Sequence, residues 1–183
     1  MWTLMWGLSI VASALALAIA LSNPAAAAFA GSRAQNSESL GNCVYTIYVR
    51  TGSIFKGGSD ANMSVELIDT YNNSLTIDNI ETWGGLMPSG WNYFERGNLD
   101  VFSGRGSCLS TTPCKLVLTS DGSGSHHGWY VNYAEVSITG PHLGCSQRLF
   151  TIEQWLATDT SPYELSATVD KCQGNGDPSI QKA

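Results

Sequence analysis

Charge is scarce and late in this chain: its first charged side chain is Arg33, and only 13% of its 183 residues are Asp, Glu, Lys or Arg. Nine basic residues face fifteen acidic ones, for a net charge of −6, and the basic ones do not cluster. Nucleic acid is therefore not an expected partner. The same sign repels anionic lipid on average, so membrane contact needs calcium, exposed apolar side chains or a local exception. Catalytic motifs are missing as well. No serine sits in a G-x-S-x-G elbow, no two cysteines are spaced C-x2-C, and three histidines do not complete a zinc ligand set. No long helical periodicity and no internal repeat appear.

What precedes Arg33 is an almost unbroken apolar run from Leu4 to Leu21, then Pro24 and an alanine tract ending Ala28-Phe29-Ala30. It reads as a secretory signal peptide without a basic n-region, cleaved after Ala30, with Ala26 to Ala28 as alternative sites. An uncleaved anchor is the competing reading, since about 18 apolar residues just span a bilayer. Removing residues 1–30 leaves 153 of the 183 residues, the size of one domain with its own core. A polar linker is expected over 31–42, the domain over 43–172, and a polar Gly/Pro tail without periodicity over 173–183.

Within the domain the apolar pattern has period two, the mark of half-buried strands. Eight are expected: Val44 to Arg50, Met63 to Asp69, Leu75 to Asn79, Leu99 to Ser103, Leu116 to Thr119, Trp129 to Thr139, Arg148 to Glu153 and Tyr163 to Val169. Alternation is clearest in Met63, Val65, Leu67 and in Tyr163, Leu165, Ala167, Val169. Gly-Gly, Asn-Asn, Pro-Ser-Gly, Asp-Gly-Ser-Gly and Ser-Pro separate the runs as turn formers. Eight short strands imply an all-β fold, an antiparallel sandwich of two sheets.

All five cysteines, Cys43, Cys108, Cys114, Cys145 and Cys172, lie in the domain and fit an oxidising compartment. Cys108 and Cys114 bracket a short polar loop and are the expected pair. Cys43 and Cys172 would form a terminal clasp, with Cys145 the rival partner.

Gly57-Gly-Ser-Asp60-Ala-Asn-Met-Ser-Val-Glu-Leu67, Phe94-Glu-Arg-Gly-Asn-Leu-Asp100, the Asp121 to Val136 segment and Gln154-Trp-Leu-Ala-Thr-Asp-Thr-Ser-Pro-Tyr-Glu-Leu165 occur in an order that resembles the PLAT (lipoxygenase-homology) domain. The resemblance covers about Cys43 to Cys172 and is greatest to secreted plant proteins of the PLAT-plant-stress and embryo-specific protein 3 type. It implies an eight-stranded β-sandwich, no enzyme activity, binding to membrane lipid or to a protein partner, and a role in stress responses. It also implies a candidate calcium site at Ser59, Asp60 and Asp121, although calcium-binding relatives commonly carry an acid where this chain has Lys56. Calcium wants six to eight oxygens, and the competing reading of Asp60 is an Asx turn. No KDEL-type signal closes the chain. Export to the apoplast is thus the default, with retention in the endoplasmic reticulum through partners as the variant that the family implies.

Trp83-Gly-Gly-Leu-Met-Pro-Ser-Gly-Trp91 gathers Trp83, Leu86, Met87 and Trp91 in nine residues and is the candidate lipid or partner contact. Folded back, it would instead plug one end of the sandwich. The same tryptophans could stack sugars in a carbohydrate-binding module. A cell-wall hydrolase would need Glu95 and Asp100 facing one substrate across roughly 5–10 Å, a geometry that five residues of turn and strand give no reason to expect. His126 and His127, adjacent in extended chain, point to opposite faces. Asn62-Met-Ser64 and Asn72-Asn-Ser74 are N-glycosylation sequons, and Asn72, in a turn, is the better acceptor.

Overall fold

Alternation of buried and exposed side chains continues through β1 (Asn42–Thr51), β2 (Met63–Ile68), β5 (Lys115–Ser120) and β6 (Trp129–Gly140), as period-two segments with one apolar face require. The remaining strands are β3 (Ser74–Ile77), β4 (Leu99–Ser107), β7 (Leu143–Leu156) and β8 (Ser166–Asp170), with one short helix, α1 (Ile80–Gly84). These elements come from a computed structural model, which describes residues 42–141 and 143–172. The expected signal peptide and tail, and the linker up to residue 41, lie outside the described residues.

Two four-stranded antiparallel sheets form, ordered β4-β1-β6-β7 and β3-β2-β5-β8. The eight expected strands are all present, and the fold is the expected sandwich. Its core holds Tyr45, Ile47, Phe102, Trp129 and Phe150 from the first sheet against Met63, Leu67, Leu116 and Leu118 from the second, all nearly inaccessible to solvent. Side chains of this size each contribute about 1.5–3 kcal/mol on burial. Polar tips inside the core find partners: Trp129 Nε1 donates to Thr51 Oγ1 at 2.9 Å, and the Tyr45 hydroxyl donates to the Ser107 carbonyl at 2.7 Å.

Four expectations need correction. β4 runs on to Ser107 through Gly104 and Gly106, because the missing side chains make room rather than end the strand. A Cβ at Gly104 would lie 2.6 Å from Trp83, and one at Gly106 would lie 2.7 Å from Leu75. α1 replaces the start of the expected Trp83 loop; Asn79 caps it, its side chain accepting from the Thr82 N–H at 2.9 Å. Tyr163 is 66% exposed and lies outside β8, since a turn closed by its N–H to the Thr160 carbonyl leaves it at φ 67°. β7, finally, begins at Leu143 and takes Cys145 into its first turn of pleats.

The disulfides also differ from expectation: Cys43 joins Cys108, and Cys114 joins Cys172. Strand pairing explains the exchange. Cys43 faces Gly106 across the β1–β4 ladder, and Cys114 accepts the Lys171 N–H just before β5 meets β8. Each bridge therefore ties two neighbouring strands at the end where β1 and β5 begin. Cys145 is the free, exposed thiol. Two disulfides fit an oxidising, secretory environment.

Candidate functional site

The opposite end of the sandwich is built from loops stitched to one another through the backbone. Thr51 donates to the Asn98 carbonyl at 3.0 Å, Gly97 to Gly52 at 3.1 Å, Ser59 to Phe94 at 3.1 Å and Asp60 to His126 at 3.0 Å. These bonds join segments 52–62, 94–98 and 121–128 into one surface. Gly58 is needed for the close approach, since a Cβ there would lie 2.8 Å from the Arg96 nitrogen.

At the tip of the first loop stand Ile54, 40% exposed, and Phe55, 78% exposed. Lys56 follows at φ 60°, its ammonium 5.8 Å from the Phe55 ring centre. Phe55 thus stands largely in water, with Ile54 partly exposed before it and the Lys56 cation after it. Behind the tip lies a cavity of about 740 Å³, with Arg96, His126, His127 and Trp155 in its walls. Sequence reasoning passed over Ile54 and Phe55; the available signal was a pair of bulky apolar residues inside a segment, Ser53 to Gly58, that is otherwise a polar glycine turn.

Ser59, Asp60 and Asp121 do not assemble into a calcium site. The Ser59 hydroxyl is buried, donating to the His127 carbonyl and accepting from the Ala61 N–H, both at 3.2 Å. The Asp60 carboxylate faces His126 Nδ1 at 3.0 Å and Ser125 Oγ at 3.3 Å. Asp121 is engaged elsewhere, accepting from Asn62 Nδ2 at 2.8 Å, the Asn62 N–H at 3.1 Å and the Ser123 N–H at 2.9 Å. Those hydrogen bonds, the Asn62 side chain first, hold its carboxyl down at about 2. Among the described residues no three His, Cys, Asp or Glu are grouped to hold a metal. Ser59 and Asp60 share a cavity with Lys56 while Asp121 is held by Asn62 and Ser123, so as placed these donors do not form one oxygen set for the ion.

The Trp83 to Trp91 segment is largely folded back along the β4 edge. Trp83 and Met87 pack against the core, and the Met87 N–H reaches the Tyr93 hydroxyl at 3.0 Å. Leu86 is 59% exposed even though its N–H is tied to the Val101 carbonyl. Trp91, 39% exposed, gives its indole N–H to Asp100 at 2.8 Å. Asp100 is wholly buried and also accepts the Phe94 N–H at 2.8 Å. Burial drives its pKa up, and the two hydrogen bonds only partly oppose that. A carboxylate enclosed in this way holds a turn together and has no open face for a substrate. Glu95 accepts from Asn92 in the same turn.

The sequons sit at different ends. Asn62 is at the loop end, its amide nitrogen on Asp121 and its oxygen accepting from Asn79 at 3.0 Å. Asn72 is exposed, at φ 61° in the turn between β2 and β3, next to the disulfide end.

Comparison with known proteins agrees with this architecture. Residues 29–158 match the embryo-specific protein 3 (ATS3) family. The chain is 58% identical over 131 residues to PLAT domain-containing protein 2 of Arabidopsis thaliana and 57% identical over 131 residues to PLAT domain-containing protein 1 of the same plant, covering 72% of this chain and 72% of the relative in each case. Among solved structures, a calcium-dependent 11R-lipoxygenase superposes with a TM-score of 0.50 at 19% identity, covering 70% of this chain and 17% of that one, which bears on the fold alone. The sandwich, its loop end and these matches together make the chain a member of the embryo-specific protein 3 family of PLAT domain proteins.

Proposed function

We propose that this protein is a secreted, non-catalytic PLAT module that docks on membrane lipid through the loop end of its sandwich, without calcium, and serves in plant stress responses. Exposure of Ile54 and Phe55 beside Lys56 is the observation that carries this reading. Scaled to their exposure, burying these two side chains in a bilayer interface is worth about 2–3.5 kcal/mol, which suits weak, reversible attachment. Leu86 and Trp91, at the neighbouring β4 edge, extend the contact in part, while Trp83 and Met87 serve the core. Lys56 supplies a local cation on a protein of net charge −6. With Asp60 on His126 and Asp121 on Asn62, this reading needs no ion bridge between those two carboxylates. Stress function rests on kinship with the Arabidopsis proteins.

Flotation with phosphatidylcholine vesicles in calcium and in chelator tests the proposal. Equal binding in both is expected. Binding in neither would leave a protein-partner module, and binding only with calcium would restore an ion at the loop end.

A further inference from the structure

The cavity behind the Phe55 tip carries charges of both signs. Lys56 and Arg96 line it, and among the described residues neither side chain has a hydrogen bond or ion pair, apart from Lys56 lying over the Phe55 ring. Three carboxylates share the walls, and two have other partners: Asp60 is bound to His126 and Glu95 to Asn92. Among the described residues Asp159 meets only the Thr160 hydroxyl, at 3.5 Å, close to the limit of a hydrogen bond. Trp155 is the aromatic wall, held edge-on by Tyr130 with ring centres 5.5 Å apart.

A purely anionic ligand would gain Lys56 and Arg96 but would also meet Asp60, Glu95 and Asp159 on the same solvent-facing surface, a repulsion that solvent moderates without removing. A purely cationic one would meet the reverse. A ligand carrying both signs satisfies both sets. Arg96 and Lys56 suit a phosphate oxygen, whereas Trp155 with Asp159 suits an alkylated ammonium, which binds an aromatic face without needing hydrogen bonds.

We infer that this cavity binds a zwitterionic phosphate ester of the phosphocholine type, with the phosphate at Lys56 and Arg96 and the ammonium at Trp155 and Asp159. The inference deepens the membrane reading above and rests on it in one respect: the Ile54–Phe55 tip would sit beside the acyl chains of a lipid whose headgroup fills the cavity. The same chemistry is offered by free phosphocholine.

Titration calorimetry of the protein with phosphocholine, with inorganic phosphate and with choline reads the cavity directly. Phosphocholine is expected to bind at least tenfold more tightly than either half. Arg96→Gln, an exposed side chain without a partner, is expected to weaken it about tenfold, and Trp155→Leu is expected to do the same with an unchanged Arg96 contribution. Absence of phosphocholine binding, equal binding of inorganic phosphate, or indifference to Arg96→Gln overturns the inference. Flotation on phosphatidylcholine vesicles separates it from the membrane reading. Flotation without phosphocholine binding overturns the cavity and leaves the membrane contact standing; phosphocholine binding without flotation supports the cavity, assigns it to the free ester and removes the membrane contact.

Discussion

Trp91 donates its indole N–H to the buried carboxylate of Asp100, 2.8 Å away, and so ties the segment ahead of β4 to the strand's second residue. That bond stabilises the charged form of a carboxyl whose pKa burial has already raised. A raised carboxyl favours folding at low pH, and that contribution is lost as pH climbs through its folded pKa. Trp91→Phe removes the donor and leaves the charge less compensated. Chemical denaturation is expected to show a loss of about 2 kcal/mol at pH 7 and a smaller loss at pH 4. Equal losses at both would mean that the indole only packs.

Asp121 has the opposite sign. Its carboxyl is held at about 2 by Asn62 and Ser123, so it favours folding above the ordinary carboxylate range and loses that contribution as pH falls toward 2. The acid limb of a melting-temperature profile between pH 4 and pH 2 should therefore flatten in Asp121→Asn. An unaltered limb would show that the Asn62 contacts do not couple to folding.

The fold was legible because it rests on period two. Met63, Val65 and Leu67 alternate as a strand with one buried face must, and the turns between runs carry glycine, asparagine and proline for backbone reasons. What escaped depends on which loops meet. The exposure of Phe55 and the folding back of Trp83 follow from tertiary packing, with Gly104 opening a seat for the indole across the sheet edge. Nothing in the local sequence distinguishes the two aromatics. Cys108 and Cys114 looked paired because six residues close a loop easily, but ladder register places each beside a more distant partner.

Those pairings make separate predictions. Bridges that close 65 and 58 residues restrict the unfolded chain strongly, and losing either is expected to cost about 2–4 kcal/mol. Cys43→Ser and Cys172→Ser should each lower the denaturation midpoint, whereas Cys145→Ser should leave it in place. Peptide mapping that joined Cys108 to Cys114 would contradict the arrangement.

Calcium gives a further test on the folded protein alone. An ion that binds the native state raises its melting temperature by mass action. With Asp60 on His126 and Asp121 on Asn62, millimolar calcium and chelator are expected to give the same melting temperature. A rise of several degrees would show that the two carboxylates can be drawn to one ion.

The most direct measurement is vesicle partitioning of the Ile54→Ser/Phe55→Ser double variant beside Tyr71→Ser, an equally exposed aromatic on the β2–β3 turn at the disulfide end. Contact through the loop end predicts that the double variant loses at least tenfold in partition coefficient and that Tyr71→Ser binds like the unaltered protein. Retained binding in the double variant, or a matching loss in Tyr71→Ser, would contradict it.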